Sequence, residues 1–279
     1  PSGVRRIGWH CFKGCGRLAV AEFEDGVEII ENGVFASCRS LQTVSFPASL
    51  KRFPGWAFFG SNNIRREQLR GSVADIGERA FSGCENLQSM DFPDGLKKIG
   101  TDAFYGCISL ESADLPDGVE EIENRAFAGA RYMTSARIPQ SVHSMGESVF
   151  SGCRSLERMD IPGSIKTVPA DTLFACAALK ELSIGSGIQM IGRRAFGGCT
   201  ALESVRIPDG VTELDAMAFM GDGKLVSAFI PESVKIIGAE AFARCGKLRE
   251  ISLPGGIEDI GAAAFFGCAA LAENDGFVM

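Results

Sequence analysis

The stretch Ile191-Gly192-Arg193-Arg194-Ala195-Phe196-Gly197-Gly198-Cys199-Thr200-Ala201-Leu202-Glu203-Ser204-Val205-Arg206-Ile207-Pro208-Asp209-Gly210-Val211-Thr212-Glu213 decides how the rest of the chain folds. Shifted by 23 residues in either direction it meets its own pattern again, with the first apolar position at 7, 30, 53, 76, 99, 122, 145, 168, 191, 214, 237 and 260. A fixed period with no insertion predicts a solenoid, in which each unit buries its apolar face only against its neighbours. Twelve units of 23 fill 276 of the 279 residues, so residues 1–279 read as a single solenoid.

Stacking the units turns the sequence into columns. The first position is aliphatic except at Phe53, and the next is often glycine (Gly8, Gly77, Gly100, Gly192, Gly238), which predicts a tight turn or a positive φ there. A small residue, mostly Ala, then precedes Phe in eleven of twelve units, Leu173 being the exception. A large ring behind a small neighbour fills the interior of a narrow coil without overpacking it. Phe, Cys and Leu follow at i, i+3 and i+6, which predicts short helical turns on the outer side. After Leu the spacing changes to two. Val205 and Ile207 point inward, Ser204 and Arg206 outward, and Pro208 ends a short strand because it cannot donate to a ladder. Strands repeated in register predict a parallel sheet rising ~4.8 Å per coil, about 55 Å over twelve coils.

The pattern Ile-Gly-x-x-Ala-Phe-x-x-Cys-x-x-Leu-x-x-Val-x-Ile-Pro-x-x-Val resembles the BspA-like family of leucine-rich repeats over the whole chain. The resemblance implies an α/β solenoid, a right-handed superhelix with a short-stranded parallel sheet on its concave face and short helical turns outside. It also implies a bacterial cell-surface or secreted protein, with several relatives adhesins for host matrix proteins. The family is generally not enzymatic over its repeats and has no shared ligand-contact motif, so it assigns no binding residue.

Composition is that of an ordinary folded protein, 46% hydrophobic and 23% charged, with net charge −7. The negative balance argues against a nucleic-acid or anionic-membrane surface, and no apolar run reaches the ~20 residues that span a bilayer. Pro1-Ser2-Gly3-Val4 matches the tail of a unit, as in Pro162-Gly163-Ser164-Ile165, and Glu273-Asn274-Asp275-Gly276 breaks the pattern. The register therefore predicts a solenoid truncated at both ends, with self-association through the cut repeats.

Nine of the ten cysteines share one column (Cys15, Cys38, Cys84, Cys107, Cys153, Cys176, Cys199, Cys245, Cys268) and Cys11 lies in the Ala column. A line of single sulfurs does not converge tetrahedrally on zinc, and parallel Cβ vectors suit disulfides poorly. Ser61, Ala130 and Asp222 replace Cys in the same column, so these positions read as buried free thiols acting as small hydrophobes. His10 and His143 are six units apart, roughly 30 Å at the sheet spacing, which precludes a Ser-His-carboxylate or Cys-His group. Gly14-Cys15-Gly16-Arg17-Leu18-Ala19 matches a dinucleotide fingerprint only as a string. Neither cofactor nor metal is expected, and no enzyme.

The copies differ where they face outward. One column carries Arg66, Ser89, Ser112, Ser135, Arg158, Glu181, Ser204 and Ser227; its neighbour carries Asp91, Asp114, Arg137, Asp160, Ser183, Arg206 and Phe229. These columns read either as a solvated charge ladder that discourages edge pairing or as a mixed-charge binding strip with Phe229 as apolar anchor. The strip would comprise Arg66, Asp91, Asp114, Arg137, Arg158, Asp160, Arg206 and Phe229. Unit three departs most, with Ser61 for Cys, Ile64 for Leu, Glu67 at an inward position and Arg70 for Pro, through drift or as a functional patch. The chain reads first as a recognition module for a protein partner, with a host extracellular-matrix protein as the class. The alternatives are a structural stalk and a targeting region of a larger protein whose catalytic domain lies elsewhere.

Overall fold

A computed structural model of the chain describes residues 3–68 and 73–272, with the side chains of residues 66–68 and of Ala272 left aside. Glu67 and Arg70, singled out in unit three, lie outside the described side chains, as does the Glu273–Asp275 segment. The chain forms a parallel-strand solenoid of about 11 turns and divides into two compact units, Pro1–Ser144 and Met145–Met279.

Each coil contributes two strands. The three-residue strand expected after Leu is present, as at Ser204–Arg206, which pairs in parallel with Ser227–Phe229 in the register Ser204↔Ser227, Val205↔Ala228, Arg206↔Phe229. Its exposed–buried–exposed pattern puts Val205 in the core. A second strand of two residues forms at the first aliphatic of each unit. In the second unit Thr167–Val168, Met190–Ile191, Glu213–Leu214, Ile236–Ile237 and Asp259–Ile260 make one five-stranded parallel sheet. Partners are 23 residues apart, so Ile191 lies beside Val168 and Leu214 and the core repeats itself coil by coil.

The phenylalanines stack along the coil axis. Phe81, Phe104 and Phe127 have centroids 5.1 Å apart with ring planes within 4° of parallel, and Phe219–Phe242 repeats this at 5.2 Å and 6° in the second unit. These rings are fully buried. The coil rise sets their separation, so one residue type suits every coil.

The outer turns are not helical. Phe196, Cys199 and Leu202 are joined by successive i→i+3 hydrogen bonds, with Cys199 N donating to Phe196 O (3.3 Å) and Leu202 N to Cys199 O (2.9 Å). Among the described residues the only α-helix is Ala269–Ala272. Two left-handed residues per coil explain this. The residue two before Phe has positive φ in every coil (Arg194, φ 50), and so does the residue two after it (Gly198, φ 76). Both break the right-handed run that an α-helix needs. The N–H groups of Arg194, Phe196 and Gly198 instead donate to Ala216 O, Ala218 O and Met220 O of the next coil (3.0, 2.9 and 2.8 Å). Donors committed to the neighbouring coil cannot close an i→i−4 ladder.

Of the two expected causes for the glycines after the first aliphatic, the turn is present, with Ala103 N donating to Gly100 O, and the positive φ is not. Gly77, Gly100, Gly192, Gly238 and Gly261 lie outside the left-handed region. A Cβ on Gly100 would sit 2.8 Å from Glu78 N and 2.9 Å from Ile76 O, and one on Gly238 2.6 Å from Ala216 N. Close backbone approach excludes a side chain there.

Candidate recognition face

The outward positions of the three-residue strands form the face on which the copies differ. In the first unit Arg66 takes its expected strand position, its backbone paired with Ser89, while its side chain lies outside the described set. Asp91 and Asp114 follow in the neighbouring column. Arg137, in register with Asp114, donates from Nη1 to Leu115 O at 2.7 Å and from Nη2 to Asp117, and lies 4.0 Å from Asp114. That arginine is tied to its own surface.

In the second unit Arg158 pairs with Glu181 one coil on, and Asp160 stands in register beside Ser183. Arg206 behaves differently. Its guanidinium lies 4.1 Å from the centroid of the Phe229 ring, and Phe229 is 47% exposed. Arg206 and Phe229 line a shallow depression with Ser204, Ser227 and Ser252, and Arg206 also borders a second one with Arg158, Asp160 and Ser183. Within each unit the expected residues have different partners. Arg137 joins the Asp114–Asp117 edge, Arg158 joins Glu181, and Arg206 joins Phe229.

A second ladder was not expected from the sequence. In the left-handed column of the first unit, Asp102 is 3% exposed and lies between two arginines. Arg79 Nε is 3.1 Å from Asp102 Oδ2, and Arg125 donates from Nε to Oδ1 at 2.8 Å and from Nη2 to Oδ2 at 2.9 Å. The carboxylate beside it holds the Arg125 guanidinium above its ordinary range. Arg79 also covers Trp56 at 4.6 Å. The second unit repeats the motif, with Arg194 bidentate on Asp171 (2.8 and 2.9 Å) and 5.1 Å from the Phe174 ring centroid. Arg-Asp-Arg at intervals of 23 was the available signal; it sits in a column whose identities vary too much to read as scaffold.

The cysteine column does more than fill volume. All ten cysteines are free thiols; eight are buried, while Cys11 and Cys15 are exposed. Buried sulfurs reach a carbonyl of the preceding coil, as in Cys84 to Phe58 O and Cys107 to Phe81 O, both 3.1 Å, and Cys199 to Leu173 O at 3.4 Å. Ser61 makes the same contact, Oγ to Phe35 O at 2.8 Å, and accepts Cys38 N at 3.0 Å. Burial pushes the Cys107, Cys176 and Cys199 thiols up, which favours the S–H form that can donate. Among the described residues no three of His, Cys, Asp and Glu converge as metal ligands, and no helix is long and apolar enough to cross a membrane.

The BspA type leucine-rich repeat region, as a family, matches this chain in six copies over residues 1–75, 59–180 and 167–275. A leucine-rich repeat protein from Bacteroides ovatus is 26% identical at a TM-score of 0.55, covering 91% of this chain and 84% of its own. One from Eubacterium ventriosum is 22% identical at a TM-score of 0.63, covering 96% and 81%. The pneumococcal vaccine antigen PcpA shares the fold at 17% identity and a TM-score of 0.56, covering 95% and 72%. No curated protein matches the sequence.

Proposed function

The chain belongs to the BspA-type leucine-rich-repeat family, and from that premise we propose that it is a non-catalytic protein-recognition module at a bacterial cell surface or outside the cell. The observation that carries this reading is the contrast within one strand. Inward positions such as Val205 and Ala228 keep an apolar core, while the outward positions beside them run from Arg206 to Phe229 to Ser252. A rigid backbone with interchangeable outward side chains suits recognition of an extended protein surface better than enclosure of a small molecule. Family resemblance favours a host extracellular-matrix protein as partner class, and residues 1–279 acting as one twelve-unit solenoid.

A second reading, a structural stalk, is favoured by the self-compensated charges of the face, Arg137 with Asp117 and Arg158 with Glu181. The test is titration of the immobilised chain with purified extracellular-matrix proteins. Saturable binding weakened by Arg137→Glu or by Phe229→Ala, each tested singly, but unchanged by Tyr132→Ser in an outer turn, supports recognition. Absence of binding to every protein tried supports the stalk.

A further inference from the structure

The charge pattern of the sheet face has one departure. Arg137 and Arg158 each bond a carboxylate of a nearby coil. Arg206 lies instead over Phe229, and among the described residues no carboxylate is within ion-pair reach of it. Its neighbours in the strand and in the next coil are Ser204, Ser227 and Phe229, all neutral. Glu181, which could have reached toward it, is taken by Arg158.

We propose that Arg206 and Phe229 together anchor an acidic side chain of a protein partner; this rests on reading the sheet face as the recognition surface. A guanidinium stacked on an aromatic ring keeps its N–H donors in its own plane, directed away from the ring, so stacking leaves the fork available to a carboxylate. The ring also removes water from one face of the cation, which strengthens a charge-assisted bond made at its edge. The Ser204 and Ser227 hydroxyls beside the pair add neutral donors, and Glu250, in register with Ser227 one coil on, repels an anion from its own end of the depression and so favours the Arg206 end. The exposed part of the Phe229 ring accepts an apolar side chain next to the acid. The matching ligand is an extended segment with Glu or Asp flanked by an aliphatic residue. The anion completes a pairing that the other two arginines make within the chain.

The test uses the 279-residue chain, 15N-labelled, and two blocked peptides, acetyl-Leu-Glu-Leu-amide and acetyl-Leu-Gln-Leu-amide. The Glu peptide is expected to give saturable shifts at the amides of Ser204, Arg206, Ser227 and Phe229. It should bind at least about 5-fold more tightly than the Gln peptide, as a charge-assisted bond requires. Arg206→Gln should reduce the Glu peptide to the level of the Gln peptide, and Phe229→Ala should weaken both. Equal affinity for the two peptides, or an Arg206→Gln chain that still discriminates, overturns the proposal. The broader reading fails separately. A matrix protein captured equally by wild type and Arg206→Gln removes the anchor and leaves the face, whereas capture unaffected by Arg137→Glu, Phe229→Ala and Arg206→Gln removes the face itself.

Discussion

Asp222 Oδ1 accepts the backbone N–H of Cys199 at 2.8 Å, while Oδ2 of the same fully buried carboxyl has no partner. Asp222 stands in the cysteine column, where Sγ of Cys199 reaches Leu173 O and Sγ of Cys245 reaches Phe219 O. The equivalent acceptor for Asp222, 26 residues back, is Phe196 O, and only a protonated carboxyl could donate to it. Burial pushes the Asp222 pKa well above the ordinary carboxylate range, and among the described residues no cation faces it; its column neighbours are the Cys199 and Cys245 thiols.

A raised folded-state pKa means that the folded chain binds a proton the unfolded chain releases near 3.8. The stabilisation is fully present below that value and is lost as pH rises toward the folded pKa, at about 1.4 kcal/mol per pH unit. Asp222→Asn and Asp222→Cys should therefore melt increasingly above wild type from pH 4 to pH 7 in parallel thermal scans. A pH-independent difference would show that Asp222 is ionised when folded.

Two glycines of one coil should respond to alanine by different amounts. Gly100 has a negative φ, and its Cβ would meet backbone atoms at 2.8–2.9 Å, so Gly100→Ala should cost about 3 kcal/mol. Gly106 has φ 69 but nothing within 4 Å of its Cβ, so Gly106→Ala should cost about 1 kcal/mol. Urea midpoints of the two variants decide the order.

Asp102→Ala should destabilise by about 2 kcal/mol, less than for a fully buried pair because Arg79 and Arg125 are partly exposed. Asp102→Asn keeps a residue tolerant of positive φ and removes only the charge. A similar loss for both variants assigns the effect to the ion pairs; a loss confined to alanine assigns it to the backbone.

Native alkylation should modify Cys11 and Cys15 and spare the eight buried thiols, which a reagent in solution cannot reach. Mass spectrometry should show two adducts in buffer and ten in denaturant. Rapid modification of Cys107 or Cys176 in buffer would contradict their burial.

The fold was legible because a coil interior of fixed size asks for the same residues twelve times, so Phe81, Cys84 and Leu87 recur in place and their burial follows. Local geometry was less legible. Phe-x-x-Cys-x-x-Leu has the spacing of a helix, but the donors of Arg194, Phe196 and Gly198 are claimed by the next coil, a long-range commitment that spacing within one unit cannot reveal. The glycine at 100 and the glycine at 106 look alike in sequence and differ in cause. The Arg79–Asp102–Arg125 ladder is not legible in the sequence because its column also holds Trp56, Ser148 and Met217, so the charges do not stand out as a pattern. Arg206 and Phe229 could be singled out individually; that one stacks on the other needed the register.

The inter-coil bonds keep a constant offset within each column, and this has a genetic consequence. Because Phe104 N donates to Ala126 O and Gly106 N to Ala128 O, each 22 residues on, a deletion of one whole 23-residue block inside a unit rejoins donors and acceptors of the same kind. Duplication does the same in reverse. Unequal recombination can therefore lengthen or shorten such a gene by whole coils while single-residue insertions are rejected, and outward residues can then diverge in the new copy.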